Sequence, residues 1–117
     1  MKLEPILSTL KYEINLIDKL KESQEYSYYI PYIFLLLLKH YADFLLSKDL
    51  GKYVVSFDYI SVLKERDLID NDEELFIRKC VEITRRRDNL VKKYAEIDTN
   101  MIEKIVSRIK ESISRSV

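Results

Sequence analysis

Residues 28 to 47 read YYIPYIFLLLLKHYADFLLS, and on a helical projection their apolar side chains cover nearly the whole circumference. Ile30, Ile33, Phe34, Leu37, Tyr41, Phe44 and Leu45 make one face, and Leu35, Leu36, Leu38, Ala42 and Leu46 fill much of the rest. A helix apolar all round must be covered on more than one side. The segment is therefore either the central helix of a bundle or a helix at a contact between two copies. Its uninterrupted apolar part, residues 28 to 38, is only 11 residues long and is followed by Lys39, His40 and Asp43. A bilayer needs about 20 apolar residues, so a buried helix is expected and a membrane partner is not.

The rest of the chain supplies helices to cover it. A stripe of Leu3, Ile6, Leu7, Leu10, Ile14, Ile17 and Leu20 predicts a first helix from near Pro5 to about Ser23. A short third helix is expected over residues 56 to 66, with Ser56 as its N-cap. A fourth follows Asp70, whose neighbours Asp72, Glu73 and Glu74 suit a helix N-terminus, and runs to about Tyr94. A fifth starts near Asp98 or Thr99 with a stripe of Met101, Ile102, Ile105, Ile109 and Ile113. One Gly and two Pro in 117 residues leave little turn chemistry for strands. The expected fold class is all-α, an up-and-down helical bundle of about four long helices plus a short one, in a single domain spanning residues 1–117.

Several function classes drop out early. Cys80 is the only cysteine and His40 the only histidine, so neither an intramolecular disulfide nor an ordinary structural zinc site is expected, and no cofactor is implied. Nothing at the N-terminus has the order of a secretion signal, and a cytoplasmic location is expected. Formal net charge is zero, so no global field draws the chain to nucleic acid. The balance is local, however. Residues 78 to 93 carry seven cations (Arg78, Lys79, Arg85, Arg86, Arg87, Lys92 and Lys93) against Glu82 and Asp88.

Within that basic stretch, residues 85 to 98 read RRRDNLVKKYAEID. The run resembles the signature of HepT-like proteins of the HEPN superfamily: Arg-Asn, one residue, Leu-Val-His, one residue, Tyr, then often an acidic residue and Ile-Asp. Arg87, Leu90, Val91, Tyr94, Glu96, Ile97 and Asp98 match. Asp88 stands where Asn is usual, although Asn89 follows, and Lys92 stands where the histidine belongs. The long apolar helix and the short third helix before an acidic start also resemble the family, over about residues 5 to 110. The resemblance implies a HEPN-like bundle that forms a homodimer and places the motif at a composite cleft. It also implies metal-independent RNA cleavage, with Arg87 and Lys92 at the catalytic positions and Arg85, Arg86 and Lys93 nearby to hold RNA. It further implies pairing with a small nucleotidyltransferase antitoxin that adenylylates the tyrosine matched here by Tyr94.

The chemistry of the motif can be weighed separately. Metal-free RNA cleavage needs a base for the 2′-hydroxyl and a cation for the developing phosphorane. Histidine suits the first role because its pKa is near neutrality, and the arginine fork suits the second. For an ordinary lysine amine, with a pKa of about 10.4, deprotonation at pH 7 costs about 4.6 kcal/mol. Lys92 therefore predicts weakened or lost ribonuclease activity, unless Lys92 in a special setting, or His40, acts as the base. A third reading is a non-catalytic subunit that presents a substrate to a nucleotidyltransferase.

Plain structural roles compete for the same residues. Asp88 and Lys92 are four apart and can form a helix-surface ion pair. Arg85 to Arg87 can complement a helix C-terminus. Tyr94 can be a half-buried bundle tyrosine. His40 is expected at the core edge, bonded to a neighbour. Cys80 is expected to be an inert core thiol, and the tyrosines near residue 28 to pack in the bundle rather than stack on bases.

Overall fold

A computed structural model describes residues 2–115, and every described element is helical. Helix α1 spans Glu4–Lys21, with Pro5 in its first turn and Lys19 and Lys21 in its last. It buries Leu10, Ile14 and Ile17 along the expected stripe, together with one acid, Glu13. A 3-10 turn over Ser27–Tyr29 leads into α2, Ile30–Leu50. Gly51 ends α2 in the left-handed region (φ 68°), where a residue without Cβ is unstrained.

Helix α2 is the central helix, packed against α1, α3, α4 and α6. Phe34, Leu37, Leu38, Tyr41, Ala42 and Phe44 are buried. The segment Ser27–Leu50 is long and apolar enough to cross a membrane by length and composition; in the bundle its four neighbours cover part of it, leaving Ile33, Leu35, Leu36, Leu45 and Leu46 half-buried and Tyr32 exposed. The Tyr41 hydroxyl donates to Ser112 Oγ at 2.6 Å, pinning α2 to α6.

After Gly51 the chain runs extended and is tied back to α2 by two polar side chains buried in that helix. Ser47 Oγ accepts the Val54 N–H at 2.8 Å and donates to the Val54 carbonyl at 3.2 Å. Asp43 Oδ1 accepts the Ser56 N–H at 2.6 Å. Ser56 is thus a buried anchor and not the cap of α3 (Tyr59–Glu65), which is capped by Asp58 accepting the Ser61 N–H. Helix α3 closes in a Schellman turn: Leu68 N–H donates to Leu63 O, and Asp67 N–H to Lys64 O. The left-handed position is filled by Asp67, at φ 57°.

Helix α4, Asn71–Thr84, opens on a full capping box between Asp70 and Glu73. Glu73 also receives both terminal nitrogens of Arg108 on α6, at 3.0 and 2.9 Å. The expected fourth helix is not continuous to Tyr94. Arg86 takes an extended conformation (φ −125°, ψ 128°), and a new helix α5, Arg87–Lys93, starts after it. A 3-10 turn over Tyr94–Glu96 follows, and α6 spans Thr99–Arg115, burying Ile102, Ile105, Val106, Ile109 and Ile113.

Candidate functional site

The break at Arg86 decides how the motif is displayed. Arg85 caps the end of α4, Arg86 lies in the break, and Arg87 is the first residue of α5. Asp88 and Asn89 complete the first turn, and Lys92 and Lys93 occupy the last. Buried Leu90 fastens α5 to the core. Arg85, Arg86, Arg87, Asp88, Lys92 and Lys93 are all exposed, while Asn89 and Tyr94 are half-buried.

Helix α5 is unbroken from Arg87 through Lys93. At 3.6 residues per turn, residues five apart point about 140° away from each other. Arg87 and Lys92 of one chain therefore diverge. Convergence within one chain requires a break near Asn89; the break falls instead at Arg86, upstream of both. Tyr94 lies beyond the end of α5, as the first residue of the 3-10 turn. Its ring packs against the core.

The electrostatics of this stretch lean positive, with Asp88 the exposed acid within α5. The anticipated Asp88–Lys92 pair does not form. Among the described residues, ion pairs engage Lys21, Lys39, Lys64, Lys104, Lys110, Arg66, Arg78, Arg108 and Arg115, and Arg85 meets Glu82 at 3.3 Å. Arg86, Arg87, Lys92 and Lys93 form none. Four uncompensated cations on one short exposed stretch make a surface fit for phosphate oxygens.

A feature the sequence reading discounted adjoins it. The Ser27–Tyr29 turn packs on α5. Rings of Tyr28 and Tyr29 lie 4.6 Å apart between centroids. Hydrogen bonding with Tyr29 foremost, then burial, raises the Tyr28 phenol above its ordinary value, while the nearby Arg87 charge pulls it the other way.

His40 lies elsewhere. Ten residues into α2 at about 1.5 Å each, it is about 15 Å along the helix from the turn that meets α5. Its Nδ1 faces both carboxylate oxygens of Glu13, at 3.0 and 2.9 Å. Burial raises the Glu13 carboxyl above its ordinary value, and the bond to His40 opposes that rise. The ring helps line a cavity of about 190 Å³ with Pro5, Ile6, Thr9, Asp43 and Tyr53. This is the core-edge histidine bonded to a neighbour that the sequence suggests, and the partner acid was signalled by its place on the apolar stripe of α1. Asp43 is held below the ordinary carboxylate range: its burial acts upward, but Lys39 and Ser56 outweigh it.

Cys80 is fully buried, and desolvation pushes its thiol up to about 12, the inert core thiol expected. Among the described residues, no three His, Cys, Asp or Glu side chains gather in a way that could hold a metal ion. Compared with protein-family models, curated proteins and solved structures, the chain matches none.

Proposed function

We propose that this chain is a HepT-like protein of a toxin–antitoxin type module, directed at RNA, paired with a small nucleotidyltransferase, and weakened or silent as a ribonuclease. The observation that carries the reading is the exposed face of α5, where Arg86, Arg87, Lys92 and Lys93 have no carboxylate partners among the described residues and a lysine stands at the position of the expected base. An ammonium there attracts phosphate and accepts no proton. His40 is a poor substitute, being held by Glu13 far along α2 from Arg87.

Arg87 and Lys92 diverge within one chain, so a cleavage centre built from both needs a homodimer that brings Arg87 of one copy to position 92 of the other. The divergence also favours a second reading, a non-catalytic subunit that presents RNA or its own Tyr94 to the nucleotidyltransferase. The two separate on one experiment. The wild-type chain should cleave single-stranded RNA poorly at neutral pH, and Lys92→His should raise the rate by about 10²-fold or more. Arg87→Ala in that background should remove the gain. Mixing wild type with the Arg87→Ala, Lys92→His double variant should restore activity, because only the mixed dimer holds an Arg87 and a histidine at one site. If Lys92→His remains dimeric and folded but gains nothing, the non-catalytic reading stands. Pairing is tested by co-purification with a small nucleotidyltransferase encoded in an adjacent reading frame, with adenylyl addition that Tyr94→Phe abolishes.

A further inference from the structure

The tyrosine turn, at the N-terminal end of α2, adjoins the Arg87 end of α5. The Tyr29 N–H donates to the Tyr26 carbonyl at 3.0 Å and closes the turn. The Tyr26 side chain is left half in solvent, at 50% exposure. Next to it, Tyr28 and Tyr29 present rings tilted by 35° to one another, both only partly covered by the core. The turn rests on α5, close enough for the Arg87 charge to act on the Tyr28 phenol. Partly exposed aromatic rings beside uncompensated arginines are the two elements that single-stranded nucleic acid requires. Bases stack on aromatic faces whatever their sequence, and cations track the backbone. A duplex keeps its base faces hidden and can use only the cations.

We propose that Tyr26, Tyr28 and Tyr29 form a stacking platform for the unpaired bases of RNA, with Arg87 holding the adjoining phosphate, so that the α5 face selects single strands over duplexes. This rests on the RNA-directed reading above and adds to it the class of RNA and the residues that choose it. The choice of nucleic acid over a protein partner follows from charge. Arg87, beside the Tyr28 ring, and Arg86, next to it in the chain, have no carboxylate partners among the described residues, a complement to phosphate.

The test is binding of a short labelled oligoadenylate, alone and annealed to its complement, followed by fluorescence anisotropy at low salt. Tyr26→Leu and Tyr28→Leu should each weaken single-strand binding by roughly 5- to 150-fold, the range for losing one stacked base, and leave duplex binding unchanged. Tyr28→Phe should keep wild-type affinity. Arg87→Ala should weaken both forms and lower the salt dependence by about one phosphate contact. Tyr26 is half-exposed, so its variant carries the test if Tyr28→Leu lowers the melting temperature. Unchanged single-strand affinity in Tyr26→Leu and Tyr28→Leu, or equal losses for strand and duplex, overturns the platform and leaves the RNA-directed reading standing. Wild type that binds neither nucleic acid overturns both. A Tyr26→Leu variant that keeps its RNA affinity but changes self-association overturns the platform in favour of a protein contact.

Discussion

Replacing Arg108 with methionine should cost about 2–3 kcal/mol at neutral pH and clearly less in strong acid, where only the lost bond to the Leu68 carbonyl remains. Glu73 is 2% exposed and accepts three hydrogen bonds: two from Arg108, at 3.0 and 2.9 Å, and one from the Asp70 N–H at 2.9 Å. Arg108→Met removes two of the three and frees the Leu68 carbonyl that Arg108 also serves at 2.6 Å. Breaking a buried pair by deleting one partner costs about 3–5 kcal/mol. The low end must be taken and lowered here, since the arginine side chain is 37% exposed and Lys104 Nζ waits 3.8 Å from the same carboxylate. For a domain of this size the remaining 2–3 kcal/mol is a fall in melting temperature of about 10 °C. The pH dependence gives the reasoning a second handle. Burial acts to raise the Glu73 carboxyl, but Arg108 and the Asp70 N–H outweigh it and leave it below its ordinary value. A depressed carboxylate contributes stability that is fully present above its unfolded value, about 4.3, and is lost as pH falls through the folded value. The wild-type advantage over Arg108→Met should therefore be full at pH 7 and shrink steadily below pH 4. Urea unfolding followed by circular dichroism measures both. A cost under about 1 kcal/mol at pH 7, or a difference that stays constant into acid, refutes the assignment of Glu73 as an arginine-held buried anion.

Two further expectations concern stability and reactivity. Asp67 occupies a left-handed position with a Cβ, so Asp67→Gly should stabilise the fold by about 0.5–1 kcal/mol; a lower urea midpoint with an unchanged slope would count against the Schellman assignment. Cys80 should resist a thiol reagent in the native protein and react fully in denaturant, because burial holds its thiol at about 12; prompt labelling of the folded chain would show that α4 opens readily.

Much of the fold was legible because burial leaves a periodic trace. The all-round apolar run pointed to a central helix or a helix between copies, and α2 is central to the bundle; the stripe of α6 was read nearly residue for residue, with Val106 added and Met101 only half-buried. Asp70 was placed as a helix start by the acids that follow it. Caps set by tertiary demand were less visible. Ser56 looks like a cap, yet α3 starts three residues later, at Tyr59, so Asp58 is the cap and Ser56 is instead held by its N–H to Asp43. The break at Arg86 left no trace at all. No Gly or Pro marks it, α5 begins without a side-chain cap, and buried Ile83 and Leu90 are seven residues apart, which keeps one helical face across the junction. The pairing of Glu13 with His40 spans 27 residues, and only the oddity of an acid on an apolar stripe hinted at it.

That silent break shapes the candidate site more than any residue the motif contains. Were α4 to run straight to Tyr94, Arg85 to Arg87 would lie within one long helix, about two turns before its carbonyl end. With the chain extended at Arg86, Arg87 instead opens α5, at the positive end of a new helix dipole. Arg86 and Arg87 thus meet a positive helix end, with the Asp88 carboxylate in the same turn, and Lys92 and Lys93 lie at the opposite end of α5. The same junction seats α5 against the tyrosine turn and fixes Arg87 and Lys92 on divergent faces. The two motif positions are thereby kept apart within a single chain. In the reading proposed here, binding belongs to the monomer, and any cleavage must be recovered from a second copy and a better base than Lys92.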